Sequence, residues 1–388
     1  YFQWLMRQAK VFAPIFEGVE FTSWYFGGGT PSLLPSYMMA EMFETFHQYF
    51  HLPEGTQAIY EGNPDSLSDR KIEVMAKIGR ITRLTIGTQS LDPKVQELVK
   101  RFNKPHHLSS AMESARKWDI PFVNVDLMTG LPGQSMESFQ KDLEFVLSLE
   151  PDSVHVNPYR PLKRVSLNQT LGYSEKDKAL RDEMTAWATQ RLIEEGHSDE
   201  MGQPLRKTQN AANVQEFDLR TQNSSLLGLG TGALSHVFGG SWYSMAYNGD
   251  FDQSLQRMVY DRTEPRWLGV PFSLQEEKHK FVIRNFNSGI NRGDYQKLFG
   301  EDCLESFPRA FEILNELGVL SITEDRIVFS GPATAVLVYR GFLYGDDILK
   351  RIDEVWGPSY DPEANYYQQL DYLLENFNMP LYSRREDA

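Results

Sequence analysis

The chain has 388 residues, of which 41% are hydrophobic and 13% aromatic, so it can bury the cores of two or three domains and intrinsic disorder is excluded as its main state. Its formal net charge of −14 disfavours a nucleic-acid partner, because a polyphosphate would be repelled. Cys303 is the single cysteine, which excludes a disulfide framework and any zinc or iron–sulfur site built from cysteines of this chain alone. The sequence has no run of 18 apolar residues, so we expect no membrane span and a cytoplasmic location.

The first 165 residues alternate between two hydrophobic periodicities. Five short runs rich in β-branched and aromatic residues are separated by segments with apolar residues at helical spacing. The predicted strands are 22–26, 57–60, 83–86, 122–127 and 153–156. Such an alternation predicts a parallel sheet with helices outside it, an α/β fold.

Residues typical of helix N-termini support the predicted α/β fold. A helix over 1–14 leads into the first strand, and another is predicted over 36–50. Ser68, Asp92 and Ser135 are predicted N-caps of three further helices, because each precedes an apolar helical pattern. Pro93 follows Asp92 at the first helical position, where its fixed φ is favourable.

Three domains are predicted along the chain. Residues 1–165 form the α/β body, and 166–265 form an irregular extension that closes it. Residues 266–388 form a cover and tail, in which helices over 274–286 and 303–317 and a strand pair near Ile322 and Ile327 are typical of a winged-helix module.

Polar residues and a glycine run follow consecutive predicted strands. Because the carboxyl ends of parallel strands share one edge, these positions converge on a candidate ligand site. The candidate binding positions are Gly27, Gly28, Gly29, Thr30, Glu61, Gln89, Arg101 and Asp126. Arg101 is expected to reach in from the next helix. Taken singly, the glycine run could be an ordinary turn and each polar residue could satisfy nearby backbone; together they favour a ligand cradle.

Five motifs in order give the chain a resemblance to a known family. They are WYFGGGTP at 24–31, EGNP at 61–64, IGTQS at 86–90, DLMTGLPGQ at 126–134 and LLGLG at 226–230. The ordered set is similar to the radical S-adenosylmethionine (SAM) enzymes of the oxygen-independent coproporphyrinogen III oxidase and haem chaperone group. The resemblance implies a partial (β/α)6 barrel that holds S-adenosylmethionine.

The resemblance also implies roles for the candidate residues. Gly28, Gly29 and Thr30, in the run that begins at Gly27, would contact the methionine amino group. The methionine carboxylate and the ribose would be held by Glu61, Gln89, Arg101 and Asp126. In the family, a [4Fe–4S] cluster and a reductant such as flavodoxin or ferredoxin convert the bound cofactor into a 5′-deoxyadenosyl radical that abstracts hydrogen from a tetrapyrrole-like small molecule.

Oxidative decarboxylation of coproporphyrinogen III is the type reaction implied, so porphyrin biosynthesis is the expected process. Two alternatives from the same family stay open: a radical SAM C-methyltransferase or cyclopropanase, and a haem-binding chaperone. The segment at 157–161 departs from the family pattern and leaves the substrate class open.

The sequence departs from the family most clearly in its cysteines. The CxxxCxxC cluster motif is absent from this chain, so no metal ligand is assigned and we expect this chain by itself to be catalytically inactive. We expect that the chain is N-terminally incomplete, with a first strand before residue 1. The alternative is a relative that has no cluster.

Overall fold

Five parallel strands form the centre of the larger α/β unit. The structure, a computed structural model, describes residues 1–159, 175–197, 205–206, 224–230, 233–243, 268–285, 289–316 and 320–329. The parallel strands are β1 (Ser23–Phe26), β2 (Gln57–Gly62), β3 (Arg83–Gln89), β4 (Phe122–Thr129) and β5 (Ser153–Pro158), and they lie side by side in this order. A short strand, β6 (Leu205–Arg206), adds to β5 in antiparallel orientation. The predicted α/β class with a parallel sheet is confirmed.

Helices connect these strands, and most begin where the sequence predicts. Helix α1 (Phe2–Phe12) precedes β1. The helices between the parallel strands are α2 (Ser36–Tyr49), α3 (Asp69–Lys77), α4 (Pro93–Val99), α5 (Pro105–Lys117) and α6 (Met136–Ser148), and α7 (Glu175–Glu194) follows β5. Ser68 caps α3, Asp92 caps α4 and Ser135 caps α6, each by accepting a hydrogen bond from a backbone N–H of the first turn. Helix α5 was not predicted.

The two faces of the sheet have opposite character. One face is apolar and buried: it carries Trp24, Phe26, Ala58, Tyr60, Leu84, Ile86, Val123, Val125, Leu127 and Val154. Phe43 of α2 packs its ring against Phe26 and Tyr60, which places the helix layer on this side. The residues that alternate with these point to the other face, and many of them are polar. The side chains that could bind a polar ligand therefore lie on that polar face.

The C-terminal half carries two small antiparallel sheets. Strands β7 (Leu234–Val237), β8 (Gly240–Tyr243) and β9 (Leu268–Pro271) form one of them. The other has the order β10-β12-β11, from β10 (Ile290–Asn291), β11 (Leu320–Ile322) and β12 (Arg326–Phe329). Four helices accompany it: α8 (Leu274–Arg284), α9 (Arg292–Phe299), α10 (Cys303–Ser306) and α11 (Pro308–Glu316).

The helices and the strand pair predicted for this part are present, with two corrections. The single helix predicted over 303–317 is two helices, which separate where Phe307 leaves helical geometry before Pro308. Helix α9 and strand β10 were not predicted. Phe281, Tyr295, Phe311 and Leu314 build the core of this part, together with the buried Cys303.

The chain divides into two compact units. One comprises Phe12–Gln215, and the other comprises Tyr1–Val11 with Glu216–Ala388. Within the second unit, Gln8 of α1 accepts a hydrogen bond of 2.7 Å from the backbone N–H of Gly230, the end of the fifth sequence motif.

The domain limits at 165 and 265 stay predictions, since residues near both lie outside the described ranges. Among the described helices, none is both long and apolar enough to cross a membrane.

Candidate functional site

The glycine run forms a turn at the carboxyl end of β1. Gly28 has φ +103°, a conformation that favours glycine, and a Cβ at Gly28 or Gly29 would meet no atom within 4 Å. At Gly27 the reverse holds: a Cβ would contact the Tyr25 ring and lie 2.9 Å from Oε2 of Glu61. The turn thus borders open space on one side and is tightly packed on the other.

Glu61 ties this turn to the second strand. Its carboxylate accepts a short hydrogen bond from the Tyr25 hydroxyl and one of 3.3 Å from the Gly28 backbone N–H. Thr30 donates to the Gly29 carbonyl at 2.6 Å, which orients the last residue of the run. The predicted cluster of Gly27, Gly28 and Glu61 is therefore a set of direct contacts.

Gln89 and Arg101 lie at the end of the third strand. The ladder between β3 and β4 shifts register between Gly87 and Gln89, and Gln89 has φ +64°. Arg101 donates from Nη1 to the Gly87 carbonyl at 3.1 Å, and burial lowers the pKa of its guanidinium. Arg101 does reach the strand end, but from a turn beyond the helix: α4 ends at Val99, and Lys100 adopts the left-handed conformation.

A buried hydrogen-bond network fixes the segment that carries both residues. Asp142 of α6 accepts from the Ser90 hydroxyl at 2.6 Å and from the Leu91 backbone N–H at 3.0 Å. Gln96 donates to the carbonyls of Ser90 and Asn103. Because these groups are buried and satisfied, the loop after β3 has a defined shape.

Asp126 belongs to a row of hydrogen-bonded polar side chains on the polar face of β4 and β5. Asn124 donates to Asp126 Oδ1 at 2.6 Å and accepts from the Ser153 hydroxyl at 2.8 Å, and Arg83 donates to Ser153 at 3.0 Å. The His155 ring lies beside Asp126 in register, with Nδ1 3.8 Å from Oδ1. Burial raises the pKa of Asp126, and the charge of Glu61 acts in the same direction.

The eight predicted residues fall into one neighbourhood of the larger unit. Glu61 is close enough to Asp126 to influence its ionisation, and Arg101 contacts Gly87, which pairs with Asp126. Sequence reasoning assigned no role to Tyr25, Asn124 or His155. Their alternation with buried apolar residues was a usable signal, since it placed them on the face opposite the helices.

The cysteine does not fit an iron–sulfur cluster. Cys303 is fully buried in the C-terminal unit, and burial raises the pKa of its thiol to about 12, so it is not a thiolate at neutral pH. Nor do His, Cys, Asp and Glu residues gather into a group of three suited to a metal ion anywhere in the described ranges. The described residues therefore offer no set of ligands for a cluster.

Residues 5–146 match the model of the radical SAM superfamily. The chain carries a radical SAM domain. Oxygen-independent coproporphyrinogen III oxidase of Helicobacter pylori is 26% identical to it over 323 residues, which is 78% of this chain and 69% of that protein. The Escherichia coli protein of the same name is 25% identical over 333 residues, 81% of this chain and 72% of the relative.

Two further comparisons agree with the radical SAM domain. The mitochondrial radical S-adenosyl methionine domain-containing protein 1 of Bos taurus is 34% identical over 136 residues, 35% of this chain and 30% of that protein. The solved structure of coproporphyrinogen III oxidase (HemN) from Escherichia coli, described as a radical SAM enzyme, covers 85% of this chain and 79% of its own, with a TM-score of 0.71 and 20% identity. This likeness confirms the predicted α/β fold built on a five-stranded parallel sheet.

The side chains and backbone groups on the polar face of the sheet suit the chemical groups of S-adenosylmethionine. The ligand carries an ammonium, a carboxylate and a ribose diol, and the site offers glycine carbonyls, a guanidinium and two carboxylates. The open space beside Gly28 and Gly29 allows a ligand to approach the backbone closely.

Proposed function

We propose that this chain is the S-adenosylmethionine-binding part of a radical SAM oxidoreductase that acts on a tetrapyrrole of the coproporphyrinogen type. The observation that carries the proposal is the convergence of Gly28, Glu61, Gln89, Arg101 and Asp126 at the carboxyl edge of one parallel sheet. The names of the relatives that align over most of the chain support the substrate class.

Each residue has a role that its chemistry suits. Carbonyls of the Gly27–Thr30 run accept from the methionine ammonium, next to the Glu61 carboxylate. Arg101 binds the methionine carboxylate with guanidinium N–H groups other than the one on Gly87, since that bond is the only hydrogen bond that its side chain makes to the described residues. Gln89 and Asp126 hold the ribose hydroxyls.

The bound cofactor would supply a radical that abstracts hydrogen from the substrate. This chain's contribution is binding, orientation and the exclusion of water around the nucleoside. With one cysteine, the chain does not furnish the three thiolates of the family's cluster, so we expect no turnover from this chain alone. In the complete reaction a small reductant protein would deliver electrons.

Calorimetric titration with S-adenosylhomocysteine tests the site, because this ligand keeps the amino-acid and nucleoside groups. We expect saturable binding that Arg101→Ala weakens about 10-fold or more, since a charge-assisted hydrogen bond is lost. Arg70→Ala is the matched control: Arg70 forms an exposed pair with Glu73 on α3, and its loss should leave affinity unchanged. Equal affinities for all three proteins would contradict the assignment.

The same preparation tests the substrate class in a second arm of the experiment. Coproporphyrin III, the fluorescent oxidised form of the porphyrinogen, should bind and change its fluorescence on titration with the chain. Haem is the comparison ligand. A stable haem complex with a Soret band, without binding of coproporphyrin, would replace the proposal by the haem chaperone.

A further inference from the structure

His155 lies inside the proposed site, although no predicted role includes it. It is the residue of β5 that pairs in register with Asp126 of β4, so the two side chains project from the same face of the sheet. The imidazole is 29% exposed and the carboxylate 20% exposed, with Nδ1 and Oδ1 3.8 Å apart. Within the part of the chain that the structure describes, the ring has no hydrogen-bond partner.

Asp126 is a carboxylate in an environment that opposes its charge. Burial raises its pKa, and Glu61 on β2 adds repulsion. Three groups act in the other direction: His155 from β5, Arg83 from β3 and Asn124 from its own strand. Asn124 donates to Asp126 but is uncharged, and Arg83 is bonded to Ser153, one layer deeper in the sheet, so His155 is the ionisable balancing group beside the carboxylate itself.

Ribose recognition depends on which form Asp126 takes. A carboxylate accepts hydrogen bonds from both hydroxyls of a diol, whereas a protonated carboxyl has lost one acceptor position. Charge-assisted bonds are also about twice as strong as neutral ones. Affinity for a nucleoside should therefore follow the ionisation of Asp126.

We propose that His155 is a positioning residue, whose ring can carry the positive charge that keeps Asp126 a carboxylate ready to accept from a ribose diol. The inference rests on the proposed function, since it takes Asp126 as the ribose-binding group. It adds a pH-sensitive element to that site. His155 acts through Asp126 and need not touch the ligand.

Two variants of His155 separate charge from shape. His155→Lys keeps a positive charge, and His155→Asn keeps a polar group near the position of Nδ1 without charge. The probe is 5′-methylthioadenosine, which has the ribose and adenine but no amino acid, and Kd is measured by calorimetry from about pH 6 to about pH 8.5.

In His155→Asn the pKa of Asp126 should rise further, so more of the carboxyl is protonated at low pH. We expect binding weaker than in His155→Lys at the low end of this pH range, by up to about 10-fold, which is the effect of about one pKa unit, and the difference should shrink as the pH rises. In the Asp126→Asn background, changing His155 should have no further effect.

An exposed pair provides the matched control. His51 Nε2 lies 3.8 Å from Glu20 Oε1, the same separation as in the His155–Asp126 pair, but both side chains are largely exposed, at the amino end of the strands. His51→Asn should leave the affinity and its pH profile unchanged. Circular dichroism of each variant establishes that it is folded.

The other outcomes contradict different statements. If His155→Asn and His155→Lys bind equally at every pH, the positioning role is wrong and the proposed function stands. If the loss persists in the Asp126→Asn background, His155 contacts the ligand directly and the proposal is again wrong. If wild-type protein binds neither 5′-methylthioadenosine nor S-adenosylhomocysteine, the proposed function fails together with the inference.

Discussion

At the scale of single residues, the site depends on two side chains that pack directly against the backbone of Gly27. The Tyr25 ring and the Glu61 carboxylate both pass where a Cβ would stand, and Glu61 in turn accepts from Gly28. The conformational freedom of Gly28 keeps the turn open, whereas the lack of a side chain at Gly27 lets Glu61 reach it. Adjacent glycines thus serve different physical purposes.

Gly27→Ala should therefore lower the unfolding free energy and weaken S-adenosylhomocysteine binding through Glu61. Gly29→Ala, whose methyl group enters the space left for the ligand, should leave the unfolding free energy unchanged. An added methyl group at Gly27 displaces Glu61 and costs about 1–3 kcal/mol in unfolding free energy. At Gly29 the same group enters open space, and its φ lies outside the left-handed region. Thermal unfolding of the two variants and calorimetry of Gly27→Ala check this, and equal unfolding temperatures of the two variants would contradict the tight contact at Gly27.

At the scale of elements, the loop after β3 is held by a carboxyl that is buried away from solvent. Burial raises the pKa of Asp142 to about 6 from an ordinary value near 3.8. A carboxyl whose pKa is higher in the folded than in the unfolded state binds protons preferentially when folded. Its contribution to stability is thus present below about pH 4 and is lost as the pH rises through about 6.

Asp142→Asn should remove this dependence. We expect the unfolding free energy of wild-type protein to fall relative to that of the variant between pH 4 and 7, by at most about 3 kcal/mol. Urea unfolding at several pH values measures the difference. Asp69→Asn is the control, because the hydrogen bond from Lys117 lowers the pKa of Asp69 and stabilises its charged form. Its effect on stability changes only below about pH 4, so the difference between wild-type protein and this variant should stay constant between pH 4 and 7. A constant difference between wild-type and Asp142→Asn would contradict the prediction.

Local signals were sufficient for most of the elements. Caps such as Ser68 and Ser135 are read directly from sequence because one side chain satisfies the first turn. The bulge before Gln89 and the left-handed Lys100 have no such signal, since neither position is a glycine. The sequence therefore predicts Arg101 on a helix, whereas in the structure it lies in the turn after α4. The alternation along β5 places His155 on the face opposite the helices, but it does not distinguish a ligand-binding position from any other on that face.

At the scale of the whole molecule, one composition fact limits the chemistry. The site residues all belong to the unit Phe12–Gln215, and Cys303 belongs to the other unit, where it packs in an apolar core. Its thiol is protonated at neutral pH, so it serves as a small hydrophobic residue. Binding of the nucleoside ligand and binding of iron should therefore be separable properties of this chain.

Anaerobic incubation with ferrous iron, sulfide and a reductant tests this separation. We expect the chain to retain no more iron than Cys303→Ser and to show no iron–sulfur charge-transfer absorption, because cluster ligation requires several thiolates. Affinity for S-adenosylhomocysteine should be the same before and after the treatment, since its proposed contacts are to carboxylates, a guanidinium and backbone carbonyls. Retention of a stoichiometric cluster that Cys303→Ser abolishes would show that the buried thiol becomes a ligand, and the assignment of Cys303 to the core would then be wrong.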